Sequence, residues 1–127
     1  MERTFLILSG LNGLLAVALG AFGAHGLRSW LATAEDGPRR LELWQTASSY
    51  HLTHALALGL AAYVCSRSSL LAAVLSGYFF QAGIVLFSGS LYALTLTGVR
   101  ALGAITPLGG LCLLAGWGAM LWAAWKL

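Results

Sequence analysis

Between positions 68 and 99 the chain reads SSLLAAVLSGYFFQAGIVLFSGSLYALTLTGV, with no Asp, Glu, Lys or Arg in it. A helix rises about 1.5 Å per residue, so about 20 apolar residues cross the ~30 Å hydrocarbon core of a bilayer. This run is more than long enough. Working outward from it, three further charge-free runs appear at 4–27, 43–66 and 101–125. The 127 residues hold seven Lys/Arg and four Asp/Glu, and all of them lie between these runs or at the chain ends. The pattern predicts an all-α integral membrane four-helix bundle, with spans at about 4–24, 43–65, 70–96 and 102–125. Residues 1–127 then form a single four-span transmembrane domain.

Composition closes off several function classes. Only 9% of the residues are charged, against about a quarter in soluble domains, so the runs lack the polar outer face of a soluble bundle. The net charge is +3, but the basic residues are scattered singly or as Arg39-Arg40. No basic stripe matches a phosphate backbone, and no nucleic-acid partner is expected. Cys65 and Cys112 each lack a second cysteine at metal or redox spacing and read as packing residues. Arg3, an apolar stretch and Ala16-Val17-Ala18 imitate a secretory leader. The apolar part is too long for one, so the run reads as a retained first span.

The spans differ from one another. In span 1, Ser9, Gly13, Ala16, Gly20 and Gly23 share one face, a small-residue stripe suited to close helix approach. Gly23-Ala24-His25-Gly26 reads as the end of that helix. Its glycines follow no strand, which argues against a phosphate-binding loop. The connector 28–42 holds six charges, and Asp36-Gly37-Pro38 is turn chemistry. Trp30 and Trp44 flank it as expected interfacial aromatics. Span 2 begins with unusual polarity: Gln45, Ser49 and Thr53 share one face, and His51 and His54 share another. Such a helix is either enclosed by others or protrudes from the bilayer. The short turn at Arg67 makes spans 2 and 3 an antiparallel hairpin. Span 3 carries a polar stripe, Gln81, Ser88, Tyr92 and Thr95, with Gly77 on the same side and Ser76, Gly83 and Ser90 on a second face. Span 4 has an early Thr106-Pro107, a small stripe (Gly109, Cys112, Gly116, Ala119, Ala123) and terminal Trp122 and Trp125. Spans 1 and 3 share little beyond Phe22-Gly23 and Phe87-Ser88, so no inverted repeat is predicted.

Three histidines are the side chains in or beside the spans that titrate near neutrality. They suggest a ligand site or proton relay on one reading, and interhelical hydrogen bonds that lock the packing on the other. His-x-x-His at 51 and 54 puts two imidazoles on one helix side, but a metal needs further ligands, which His25 would have to supply. No metal site, catalytic residue or cofactor is assigned, and no cysteine haem-attachment motif is present. Nothing supplies the nucleophile, base and orienter of a hydrolase. The span 3 stripe reads as a hydrogen-bond seam. As a conduction path it would have to repeat around an oligomer axis.

Several segments resemble a known family. Ala21-Phe22-Gly23-Ala24-His25-Gly26-Leu27, Tyr50 followed by His54-Ala55-Leu56-Ala57-Leu58, Leu86-Phe87-Ser88-Gly89-Ser90-Leu91-Tyr92, and Thr106-Pro107-Leu108-Gly109-Gly110 with Gly116-Trp117 are similar to the motifs of domain of unknown function 423. This is a family of small four-helix membrane proteins whose members include bacterial inner-membrane proteins and a mitochondrial relative, transmembrane protein 256. The resemblance covers essentially the full chain and implies four spans and a bacterial inner-membrane location. It carries no reaction, substrate or cofactor. The family pattern leads us to expect glutamine at position 51, where this chain has His51. That departure shifts interest to His25 and His54, which match.

The expectation is a non-enzymatic accessory or assembly component among membrane lipids, with a homo-oligomer or a larger membrane complex as partner. A second reading is a binding module for a lipid, quinone or other apolar cofactor between spans 1–3, with candidate residues His25, Tyr50, His54, Gln81, Ser88 and Tyr92. A third is an oligomeric small-solute or proton pathway. Both termini fall on one side with Arg3, Arg67 and Lys126. The other side holds Arg28, Arg39, Arg40 and Arg100, and is read as cytoplasmic, which leaves the termini periplasmic.

Overall fold

The computed structural model describes residues 1–127 and is built from helices alone: α1 (Glu2–Leu31), α2 (Gly37–Arg67), α3 (Leu71–Thr97) and α4 (Arg100–Trp125). The turns between them follow from local chemistry. Gly37 sits so close to the Leu31 carbonyl that a side chain would collide with it. Pro38 then occupies the first turn of α2, where its missing N–H costs nothing. Extended Ser68 ends α2, and its Oγ accepts from the Leu70 N–H. Gly98 ends α3 at φ 72°, a left-handed conformation that glycine adopts without strain. A short 3₁₀ turn over Arg100–Ala104 leads into the α-helical part of α4, Thr106–Trp125, with Pro107 in its first turn.

The end of the first helix departs from the sequence-based expectation. Span 1 does not end at Gly23–Gly26. The helix continues through a π-turn, Gly23–Leu27, to Leu31, because Gly23 and Leu27 pack inward while the rest of the turn faces out. The helix that carries span 2 starts at Gly37, six residues ahead of the charge-free run that marks the span. At 30 and 31 residues, α1 and α2 are each about 45 Å long. Both therefore extend past a ~30 Å hydrocarbon core, with a small second core of Leu27, Leu31 and Trp44 at the connector end.

The main core draws on all four helices, including Phe5, Leu58, Phe80 and Leu113. α1 lies along α2, α4 lies along α3, and α2 against α3 joins the two pairs. Several members of the predicted small stripes form these contacts, whereas at Gly13 nothing lies within 4 Å. Ser9 donates to the Ala55 carbonyl at 2.8 Å, and Gly23 makes the socket for Trp44. Gly77 seats Phe5, Gly116 seats Phe80, and Gly109 lets α4 touch the backbone of Leu86 and Phe87. Close approach of this kind, rather than hydrophobic burial, favours association in lipid.

α1, α3 and α4 are long and apolar enough to cross a membrane by length and composition. α2 is not among them, because Gln45 to His54 dilutes its first half. It is instead the central helix, with eleven buried residues including Trp44, His51 and His54. Its two polar faces separate: Gln45, Ser49 and Thr53 are exposed, and the histidine face is enclosed. Trp44 is a correction. It is 2% exposed and donates its Nε1–H to the Leu19 carbonyl at 2.8 Å, so it is a core residue rather than an interfacial anchor. Trp30, Trp122 and Trp125 are exposed, as interfacial positions require.

Candidate functional site

The interior holds a continuous polar chain between α1, α2 and α3. Asn12 Nδ2 donates to the Leu8 carbonyl at 2.8 Å and to Gln81 Oε1 at 2.9 Å. With its amino group aimed at two oxygens, Asn12 must present Oδ1 to His51 Nε2, 3.1 Å away. His51 Nε2 therefore carries the proton. Its Nδ1, left as an acceptor, takes the Tyr92 O–H at 3.0 Å. The hydrogen bonds run in one direction, from Tyr92 through His51 and Asn12 to Gln81.

His54 is oriented the other way. Its Nδ1 lies 2.7 Å from the Tyr50 carbonyl, which can only accept, so Nδ1 is protonated. Its Nε2 then accepts the Trp117 Nε1–H at 3.1 Å. Three residues apart on a helix is an offset of about 60°. That is enough to send His51 toward α1 and α3 and His54 toward α4. All four ring nitrogens are occupied, and the chain has no group of three His, Cys, Asp or Glu side chains placed to hold a metal.

The span 3 stripe is an interhelical seam that changes partner at a second π-turn, Ile84–Ser88. A π-turn holds one residue more than an α-turn, so side chains beyond it point in a new direction. Before it, Gln81 and Gly77 meet Asn12 and Phe5 of α1. After it, Ser88 Oγ donates to the Ala47 carbonyl at 2.7 Å, Tyr92 reaches His51, and Thr95 Oγ1 donates to the Arg40 carbonyl at 3.0 Å, all on α2. Arg40 Nε returns a bond to the Thr95 carbonyl at 2.8 Å.

A groove of about 690 Å³ opens on the outer surface between α2 and α4. Ser49, Tyr50, Thr53 and His54 form one wall. Pro107, Gly110, Leu111, Leu114 and Trp117 form the other, and Phe87 contributes from α3. Rings are continuous along it: Tyr50 lies 4.4 Å from Phe87 and 5.9 Å from His54, centroid to centroid, and His54 lies 6.0 Å from Trp117.

The candidate residues thus divide. Gln81 and Tyr92 belong to the polar chain with His51, which had drawn less interest than His25 and His54. Tyr50 and His54 line the groove, and Ser88 is buried against Ala47. His25 joins neither group. It lies exposed on the outer side of the α1 π-turn, so it cannot complete a site with His51 and His54. Asn12 was missed, although it falls on the same face as Ser9 and Ala16, at the middle of an apolar span where an amide is conspicuous. The groove has one wall on α4, whereas the expected apolar site lay between spans 1–3.

Four long helices, mostly apolar outside and hydrogen-bonded inside, define a small multi-pass α-helical membrane protein. The chain belongs to the family described as "Protein of unknown function (DUF423)", which matches residues 19–110. It is 45% identical over 125 residues to the UPF0382 membrane protein YwdK of Bacillus subtilis, covering 98% of each chain. It is 43% identical over 128 residues to the UPF0382 inner membrane protein YgdD of Escherichia coli K12, covering 99% of this chain and 92% of that one. It is also 43% identical over 115 residues to the UPF0382 membrane protein SSP2132 of Staphylococcus saprophyticus, covering 91% of each. These names carry a membrane location and no reaction. No solved structure matches the chain.

Proposed function

We propose that this chain is a non-enzymatic component of the bacterial inner membrane, an accessory or assembly subunit. One observation supports this most: every buried side-chain nitrogen and oxygen has a hydrogen-bond partner within the chain. A catalytic centre keeps a nucleophile, base or electrophile free to meet a substrate. Here the buried imidazoles of His51 and His54, the Asn12 amide, the Gln81 Oε1 and the Ser88 hydroxyl are already committed to neighbouring helices. The Gln81, Ser88, Tyr92 and Thr95 side chains are committed likewise, which leaves the solute-pathway reading without free groups. The inner-membrane name of YgdD supports the location.

To test this, purified protein in its native lipid is incubated with lipid and quinone substrates, and products are followed by mass spectrometry. No turnover is expected. Product formation that depends on the protein and is lost on His54→Ala or Asn12→Leu contradicts the proposal. The termini are proposed to face away from the cytoplasm, since four of the seven Lys/Arg sit at the connector end. A reporter fused after Leu127 should be active only outside the cytoplasm, and cytoplasmic activity reverses the orientation.

A further inference from the structure

The outer sector of α2, left open between α1 and α4, carries a regular pattern. Gln45, Ser49, Leu52, Leu56 and Tyr63 are exposed there, and Gly59 among them is partly buried. The steps from Gln45 to Tyr63 are four, three, four, three and four residues. That is the spacing of a helix that packs along a second helix, and it runs for about 27 Å. The bond from Trp117 Nε1–H to His54 fixes its depth. Trp117 lies near the middle of the 20-residue helical part of α4, Thr106–Trp125, and α2 and α4 both run away from the connector end. Ser49 is then about 7 Å from that middle toward the connector, within the apolar depth of α4, and Gln45 is about 14 Å from it, at the rim.

The polar side chains of this seam lack partners within the chain. The Ser48 and Thr53 hydroxyls return to their own helix, Ser48 Oγ donating to the Gln45 carbonyl at 3.2 Å and Thr53 Oγ1 to the Ser49 carbonyl at 2.9 Å. The Gln45 carbonyl, one turn before Ser49, thus already has a second donor, and the Ser49 hydroxyl makes no hydrogen bond. Nor does the Gln45 side-chain amide. Within lipid such groups are costly unless another helix answers them. An amide and a hydroxyl each donate and accept, so each can pair with its own kind. At the connector end of the same face, Arg39 Nη1 and Glu42 Oε2 pair with each other at 3.1 Å. Glu42 continues the spacing, three residues before Gln45. The pair is neutral as a unit, so it neither repels a second copy nor calls for a charged partner. Every polar group on the face is therefore self-complementary, the condition that a two-fold interface imposes.

We propose that the outer face of α2 is a homodimer interface, where a second copy of the chain packs in parallel about a two-fold axis along the bundle, α2 against α2. The axis brings each seam residue beside its own copy. The two Gln45 amides donate to and accept from one another, and the two Ser49 hydroxyls do the same. Leu52 and Leu56 interlock below them, and Gly59 lets the backbones come close. Above the rim, Arg39 of each copy reaches Glu42 of the other as readily as its own. Seven-residue spacing predicts a left-handed crossing of the two α2 helices. The interface stands whether or not the protein serves a larger assembly, and its test reads no activity.

The test uses the full chain in vesicles of phosphatidylethanolamine and phosphatidylglycerol. Donor and acceptor dyes are attached at Lys126, the single lysine, and energy transfer is followed as the protein is diluted in lipid. The expected result is a two-copy complex. Gln45→Leu should weaken it about tenfold, which is about 1.4 kcal/mol. That variant breaks no hydrogen bond within the chain, so its fold is not at stake. Leu56→Cys, with Cys65 and Cys112 replaced by alanine, should then form a disulfide-linked dimer on oxidation, whereas Leu14→Cys on α1 and Leu121→Cys on α4 in the same background should not. A chain that stays monomeric at every dilution overturns the proposal. So does a dimer that Gln45→Leu leaves unchanged, or one that cross-links through Leu14 or Leu121. A different protein cross-linked at Leu56 in native membranes, with the purified chain monomeric, overturns it as well. The wild-type and Gln45→Leu measurements decide the matter even if the cysteine variants fail to fold.

Discussion

His51 shows how one residue can join three helices. Its protonated Nε2 binds Asn12 of α1 and its bare Nδ1 binds Tyr92 of α3, so the imidazole acts as a donor–acceptor pair held at fixed spacing. A glutamine amide offers the same pair, so the glutamine that the resemblance leads us to expect at position 51 would make the same two contacts. His51→Gln should therefore stay within about 1 kcal/mol of the wild type, since both partners remain satisfied. His51→Leu should lose about 2 kcal/mol, because Asn12 Oδ1 and the Tyr92 hydroxyl lose their partner. Asn12→Leu should cost a similar amount by stranding the His51 Nε2–H. Reversible unfolding in mixed micelles measures all three, and equal stability of His51→Leu and His51→Gln would remove the network from the account. At this scale the sequence was only partly legible. The residue types in the Gln81–Tyr92 stripe announced a seam, but the partner Asn12 sits alone in an apolar run. Only tertiary contact shows that His51 faces the centre while His25 faces out.

Helix termini and helix approach are the issues at the scale of elements. Four charge-free runs revealed four helices because length and absence of charge are properties of a single segment. The α1 terminus was misread because Gly23-Ala24-His25-Gly26 has the composition of a helix end. What carries the helix through is the packing of Gly23 under Trp44 and of Leu27 into the connector-end core, which no local pattern encodes. The same contact explains Trp44: beside a charged loop it resembles an interface anchor, yet the socket at Gly23 draws it inside. The small stripes were legible, and α4 offers a matched test of what they do. At Gly109 a methyl group would meet the backbone of Leu86 and Phe87, which cannot rotate away. Gly109→Ala should destabilise the protein by about 1–3 kcal/mol through overpacking. At Gly118 nothing lies within 4 Å. Gly118→Ala should be neutral or stabilise by up to about 1 kcal/mol through helix propensity. Thermal unfolding of the two variants in the same detergent checks the pair, and equal effects would show that α4 does not approach α3 through Gly109.

For the whole molecule, α2 is the hub. It is the least apolar of the four helices, and α1, α3 and α4 cover its histidine face, so its polar first half is enclosed at the centre of the bundle. His51 binds α1 and α3 and His54 binds α4, so the protonation of the two rings reports all three packings at once. The most direct test is therefore ¹⁵N solid-state NMR of the histidine-labelled protein in lipid bilayers near neutral pH. The account predicts two buried neutral imidazoles in opposite tautomers, His51 protonated at Nε2 and His54 at Nδ1, and a third, exposed signal from His25. Two buried rings in the same tautomer, or a His51 ring averaging between both, would contradict the enclosed polar centre on which the bundle is built.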